Sequence, residues 1–148
     1  MNVEDYYQQG NRSWFRLHEK SGKFHEVPAH HNAEAYLDAY LAGAGMTRER
    51  KTPLFRSAAG RSGVLTDQRM TRTDVLRMVK RRALAVGIGI ERICCHTFRA
   101  TGITAYMENG GTLEHAQAIA AHESPRTTKL YDRTSDALTL DEIERIAI

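Results

Sequence analysis

The sequence predicts a mainly α-helical domain that opens on a small β-hairpin, an α+β fold. Two β-rich runs flank a Lys-Ser-Gly-Lys turn near the start, apolar residues then recur at helical spacing, and caps and glycine stops crowd the last third. The length of 148 residues suits one domain with a real core. A hydrophobic fraction of 41% with 26% charged residues excludes a disordered chain. The longest apolar run, Leu84 to Ile90, is far too short for the roughly 20 residues that cross a bilayer.

Taken in order, the first strand spans Ser13 to His18. A turn at Lys20-Ser21-Gly22-Lys23 comes next, and a second strand from Phe24 to Val27 is stopped by Pro28. Ala33, Tyr36, Leu37, Tyr40 and Leu41 then fall on one side of a helix that Gly43 and Gly45 end. Thr47 to Asp67 lacks periodicity and reads as a loop. Thr71, with Asp74 three residues on, caps a helix running to about Val86, with Leu76, Val79, Ala83 and Val86 inward. A helix from about Thr97 to Glu108 ends at Asn109-Gly110-Gly111, and another covers Leu113 to Ala121. Ser124-Pro125 supplies a cap and an N1 proline for a third, Arg126 to Tyr131. A last helix starts at Thr139, with Glu142 completing a capping box and Leu140, Ile143 and Ala147 along one side.

The overall charge of +3 conceals an asymmetry. Residues 46–92 hold 12 basic and 4 acidic residues, a net of +8, between two acidic flanks. A basic middle third fits either a polyanion partner, nucleic acid first, or a solvated helix face. The acidic, polar start Met-Asn-Val-Glu-Asp is unlike a secretory signal, and adjacent Cys94 and Cys95 read as reduced, buried thiols of a cytoplasmic protein.

Several chemistries find no support. The chain carries no phosphate-cradling Gly-Lys-Ser/Thr loop, and Gly60-Arg61-Ser62-Gly63 lacks the spacing of a nucleophile elbow. His25-Glu26 comes nearest to a zinc-protease helix, but His30 falls one residue too late and Pro28 breaks the helix. No metal and no cofactor are expected. His96-Thr97-Phe98-Arg99 alone means little, since chance supplies roughly 0.8 such pairs at this composition. Two residues downstream give it weight. His122 lies 23 residues after Arg99 and Tyr131 nine after His122, and chance meets both offsets with a probability of roughly 0.002.

His96-Thr97-Phe98-Arg99, Ala121-His122-Glu123 and Thr127-Thr128-Lys129-Leu130-Tyr131 resemble the His-x-x-Arg box, second histidine and nucleophilic tyrosine of the tyrosine recombinases, or phage-type integrases. The turn Glu19-Lys20-Ser21-Gly22-Lys23, with Glu26-Val27-Pro28 after it, is similar to the family's β-hairpin with its catalytic lysine, making Lys20 the lysine ahead of Lys23. The resemblance covers nearly the whole chain and implies the family's catalytic-domain fold.

It also implies a chemistry. Metal-free cleavage of a phosphodiester needs a nucleophile, a proton donor for the leaving oxygen and fixed positive charge around the non-bridging oxygens. Tyr131 would form a covalent 3′-phosphotyrosyl ester. A phenol of pKa near 10 is about a thousandfold short of phenolate at pH 7, so it needs a base or a positive field, and His96 is implied to move that proton. Arg99 suits two phosphate oxygens at once, His122 adds a hydrogen bond, and Lys20 serves as general acid for the departing 5′ oxygen. The ester conserves the bond energy, so strands can rejoin without ATP. Lys23, Arg72, Arg77, Lys80, Arg81, Arg126 and Lys129 are the candidate DNA contacts, setting register and affinity more than sequence choice.

The resemblance implies double-stranded DNA as partner, a homotetramer on DNA built through the C-terminal helix, and no membrane. The chain departs from the family in one respect. Members carry a first catalytic arginine on a helix well before the lysine hairpin, whereas only 19 residues precede Lys20, with Arg12 and Arg16 beside or within the first strand. The chain therefore reads as a catalytic domain lacking its first helices and the N-terminal DNA-binding domain, and weak cleavage is expected of it. Other readings are a DNA-binding remnant that does not cut, a helix-turn-helix regulator reading DNA with residues 113–121 and 126–131, or a type IB topoisomerase, which shares the chemistry.

Overall fold

A computed structural model describes residues 1–18 and 22–132. The chain divides into two compact units, Met1–Cys94 and Cys95–Ile148. Lys20, expected in the turn between the first two strands, and the helix expected from Thr139 lie outside the described residues.

The first unit begins with a 3₁₀ turn at Val3–Asp5 whose amides pair with the segment before Leu54, Val3 N donating to the Thr52 carbonyl at 2.9 Å and Glu4 N to that of Arg50 at 2.8 Å. Three antiparallel strands come next, in spatial order β1 (Tyr6–Gln9), β2 (Arg12–His18) and β3 (Phe24–Pro28). Trp14 opposes Pro28 and His18 opposes Phe24, so β2 is the central strand and the proline sits on an edge, where its missing N–H is harmless. Sequence reading passed over β1 because it is four residues long and half glutamine, too short for alternation to register.

Helix α1 (His31–Gly43) covers the sheet. Its Leu37 and Leu41 bury with Val3, Met46 and Leu54, and Tyr6, Phe15 and Tyr40 pack at the margin. The segment 47–67, expected as loop, holds two short strands, β4 (Arg56–Ala58) and β5 (Leu65–Arg69). The Arg56 guanidinium organises this region from a buried position. It donates to Asp67 at 3.1 Å and to Thr52 Oγ1 at 2.9 Å, and also pairs with Glu49. Such long-range pairing leaves no periodicity in a three-residue strand, which is why the sequence conceals it.

Helix α2 (Arg72–Ala85) starts with the expected capping box, Thr71 Oγ1 accepting from Asp74 N and Asp74 accepting from Thr71 N. Ala83 is buried and Leu76 and Val79 half-buried, but Val86 is 71% exposed, a correction to the inward face read from spacing. Its φ of −109° ends the helix, which turns its side chain off the inward stripe. Cys94 and Cys95 are exposed, not buried as expected: they stand where the first unit gives way to a helix start, not inside either core.

The second unit packs α3 (Cys95–Glu108), α4 (Leu113–Ala120) and the single turn α5 (Pro125–Lys129). Ile103 and Met107 of α3 bury against Ala116 and Ala120 of α4, with Tyr131 at the edge. Gly110, at φ 82°, ends α3, and a Cβ on Gly111 would run into the Tyr106 ring. Thr112 caps α4 and Ser124 caps α5, ahead of the N1 proline.

Ala121 ends α4 in the left-handed region, at φ 51° and ψ 41°, and is the one described non-glycine residue with positive φ. Its N–H and that of His122 fold back onto the last carbonyls of α4, a closure that glycine normally makes. An L-residue there is strained by about 1–2 kcal/mol, against about 0.4–1 kcal/mol that glycine loses through its freer unfolded chain. Ala121→Gly should therefore stabilise the protein by about 0.5–1 kcal/mol, measured by urea unfolding; a destabilised variant would show the backbone there to be unstrained.

Candidate active site

Four of the five residues expected to carry chemistry belong to the second unit, and its packing brings them together. His96 and Arg99 stand three apart in the first turns of α3, hence on one face. His122 comes after the left-handed turn that ends α4, and Tyr131 after the end of α5. The His96 Nε2 atom lies 3.0 Å from the Tyr131 hydroxyl. The His122 ring stacks on the Tyr131 ring, centroids 5.9 Å apart at 21°. A phenol is thus flanked by two imidazoles from three different segments.

Each group is held from behind. Arg99 Nη1 donates to the Ala120 carbonyl at 2.8 Å, which orients the guanidinium and occupies one of its donors among the described residues. Thr104 Oγ1 donates to the Tyr131 carbonyl at 3.0 Å, and Tyr131 N to that of Thr128 at 2.9 Å. Gln117 Nε2 donates to the His122 carbonyl at 2.9 Å, and His122 Nδ1 lies 2.9 Å from the hydroxyl of fully buried Thr128. Partial burial depresses the His122 pKa, and the positive charge of the nearby Arg99 depresses it further, which favours the neutral ring.

Chemically, the arrangement can do three things. An imidazole nitrogen at 3.0 Å can accept the phenolic proton, within the reach a general base needs. The guanidinium of Arg99 and the far nitrogen of His122 can offer hydrogen bonds to an anion. The phenol can attack an electrophile held among them. This chemistry asks for no metal, and among the described residues no group of three or more His, Cys, Asp or Glu gathers to hold one.

Sequence reasoning missed the supports: Thr104, Gln117, Thr128 and the Ala120 carbonyl. Only Thr128 left a signal. It lies three residues before Tyr131, on the same face of the terminal turn, and is a polar residue where an apolar one would serve the packing. The remaining candidates stand apart. Lys23 is exposed just before β3, and Arg72, Arg77, Lys80 and Arg81 lie on α2, in the first unit. Arg126 and Lys129 are exposed on α5.

Comparison with known proteins leads in the same direction. Residues 1–137 match the model of the phage integrase family. The chain is 29% identical over 126 residues to tyrosine recombinase XerD of Oceanobacillus iheyensis, covering 82% of this chain and 40% of that protein. It is 31% identical over 118 residues to tyrosine recombinase XerC of Thermodesulfovibrio yellowstonii, covering 76% of this chain and 36% of that protein. The chain thus spans well under half the length of these relatives. Among solved structures, the XerA recombinase aligns over 98% of this chain and 48% of its own, with a TM-score of 0.69 at 21% identity. The XerH site-specific recombinase bound to a palindromic difH substrate, a post-cleavage complex, aligns over 88% of this chain and 35% of its own, with a TM-score of 0.63 at 18% identity. Both likenesses establish the fold.

The depressed His122 pKa has a consequence for stability. Between the ordinary value near 6.5 and the lower folded value, the unfolded chain binds more protons than the folded one, so stability falls with falling pH. The contribution is intact above pH 6.5 and lost as pH drops through the folded pKa. Asp5 behaves alike in a lower window, below 3.8: burial raises its pKa, but hydrogen bonds from His18 and Asn2 N outweigh that. Native-state hydrogen exchange of the α4 and α5 amides should show protection declining from pH 7 to 5, and His122→Asn should flatten that decline. An unchanged slope in the variant would place the titration elsewhere.

Proposed function

The chain belongs to the phage integrase family, and on that premise we propose that it cleaves and rejoins double-stranded DNA for site-specific recombination, with Tyr131 as the nucleophile. The observation that carries this reading is the Tyr131 hydroxyl at 3.0 Å from His96 Nε2 and its ring against that of His122, with Arg99 in the same helix turn as His96. The Tyr131 oxygen forms a bond to a backbone phosphorus as the bond to the 5′ oxygen breaks, giving a 3′-phosphotyrosyl ester and a free 5′ hydroxyl. His96 takes the phenolic proton. Arg99 and His122 hold the non-bridging oxygens, where charge develops. Lys20 delivers a proton to the departing oxygen. Attack by a 5′ hydroxyl on the ester reverses the step, so recombination needs neither cofactor nor ATP. The working assembly would be a homotetramer on paired sites.

α2 supports the same reading as a DNA-contacting helix. Arg77, Lys80 and Arg81 recur at i, i+3 and i+4, so their charges share one side, and Arg77 and Arg81 are exposed. Arg126 and Lys129 add two charges near the tyrosine.

A second reading, a DNA-binding remnant that cuts poorly, draws on the arginines before the hairpin tip. Arg12 and Arg16 both lie on β2, and Arg16 is engaged by Glu26 at 2.9 Å. Neither stands on a helix, as the family's first catalytic arginine does. A reaction run without that preorganised donor is typically slower by about 10²–10³. The chain should therefore form a covalent adduct with a nicked recombination-site duplex slowly, over hours, and Tyr131→Phe should form none. Adduct formation by the phenylalanine variant would overturn the nucleophile assignment; no adduct from the native chain would favour the remnant.

The α2 contacts are tested by salt. Replacing Arg77 and Arg81 with alanine should lower the slope of log affinity against log salt by about 0.9 each, with little change in sequence preference. An unaltered slope would remove α2 from the interface.

A further inference from the structure

Thr128 is fully buried at the end of α5, at a position where valine would pack with the same shape. A buried hydroxyl needs a partner, and among the described residues its hydrogen bond runs to His122 Nδ1 at 2.9 Å. Either atom can be the donor, and the choice decides what the far side of the ring can do. If Nδ1 carries the proton and donates, Nε2 is bare and repels an anion. If the hydroxyl donates to Nδ1, Nε2 carries the proton and can donate outward. The second arrangement satisfies more. A hydroxyl has one proton to place, and the described residues offer Thr128 no acceptor but Nδ1. An oxygen with two lone pairs is left under-satisfied more readily than a buried donor is left without an acceptor.

Two further contacts keep the ring from turning away from this choice. The Tyr131 ring stacks against one face of the imidazole, and Gln117 fixes the His122 backbone through its carbonyl. We propose that Thr128 is a positioning residue: its hydroxyl donates to His122 Nδ1, fixes the proton on Nε2, and so presents His122 as a donor to the phosphate. This deepens the proposed recombinase chemistry and rests on it for the identity of the anion. The device also tolerates a change of charge. Should the imidazole gain a proton as phosphate binds, the hydroxyl rotates to accept from Nδ1, and the outward donor stays in place.

The test compares the full chain with Thr128→Val and Thr128→Ser. Long-range proton–nitrogen spectra of ring-labelled histidine, recorded above pH 7, should show His122 with its proton on Nε2 in the native chain and in Thr128→Ser. Thr128→Val should show a mixture of both tautomers. A native chain with the proton on Nδ1, or a valine variant that keeps it wholly on Nε2, overturns the proposal. The native spectrum decides even if the valine variant does not fold, and it needs no turnover. Adduct formation on the nicked duplex gives a second readout. Thr128→Val should slow it about tenfold with duplex affinity unchanged, as the loss of one hydrogen bond implies, and Thr128→Ser should restore it. A valine variant as fast as the native chain, alongside an impaired His122→Ala, overturns the role of Thr128 while that of His122 stands. A His122→Ala chain that reacts at the native rate removes the phosphate role from His122 and overturns the proposal with it, whatever the tautomer.

Discussion

The close approach of α4 to α3 is the constraint on which the site depends. Ala116 and Ala120 present methyl groups to Ile103 and Met107, so the two helices meet with little between them. That proximity puts the last carbonyl of α4 within reach of the Arg99 guanidinium and brings the next residues, Ala121 and His122, over the start of α3. A larger side chain at 120 would push α4 outward and separate His122 from Arg99 with neither residue changed. The strained turn at Ala121 belongs to the same geometry. It reverses the chain within one residue, so that Ser124 can start a new helix turn and Tyr131 can return to the cluster.

The electrostatics of the site divide its labour. Arg99 carries a permanent charge, whereas burial and that same arginine favour the neutral form of His122. A neutral imidazole next to a cation costs nothing in repulsion and still offers a directed hydrogen bond. The tyrosine lies between this pair and His96, in contact with both rings but half-buried in the apolar cluster. Positive field on one side and hydrocarbon on the other is the setting in which a phenol can be both activated and aimed.

How much of this could be read in advance differs by element. Helices announced themselves where a cap preceded an apolar stripe, as at Thr71 and Ser124, because caps and stripes are local. The cluster of His96, Arg99, His122 and Tyr131 was legible for a different reason, the fixed offsets between residue types of a rare chemistry. What escaped was non-local or small. β4 and β5 exist because Arg56 gathers Glu49, Thr52 and Asp67, and no window of sequence displays that gathering. β1 is too short for a period to show. The cysteines looked buried by residue type alone, and type says nothing of a position between two cores. The supporting hydroxyls and amide were invisible because threonine and glutamine are common and their partners lie across turns.

The anchoring of Arg99 to a main-chain oxygen, not to a carboxylate, bears on how this site can drift. A side-chain partner disappears with one codon change, but every amino acid supplies the carbonyl at position 120. Substitutions there alter the arginine only through volume, so small residues exchange freely while the guanidinium keeps its aim. An acidic partner would also have neutralised the cation; an uncharged amide oxygen does not. The orientation of this guanidinium is thereby insulated from exchange among small residues at the very position that enforces it, and exposed only to added bulk there.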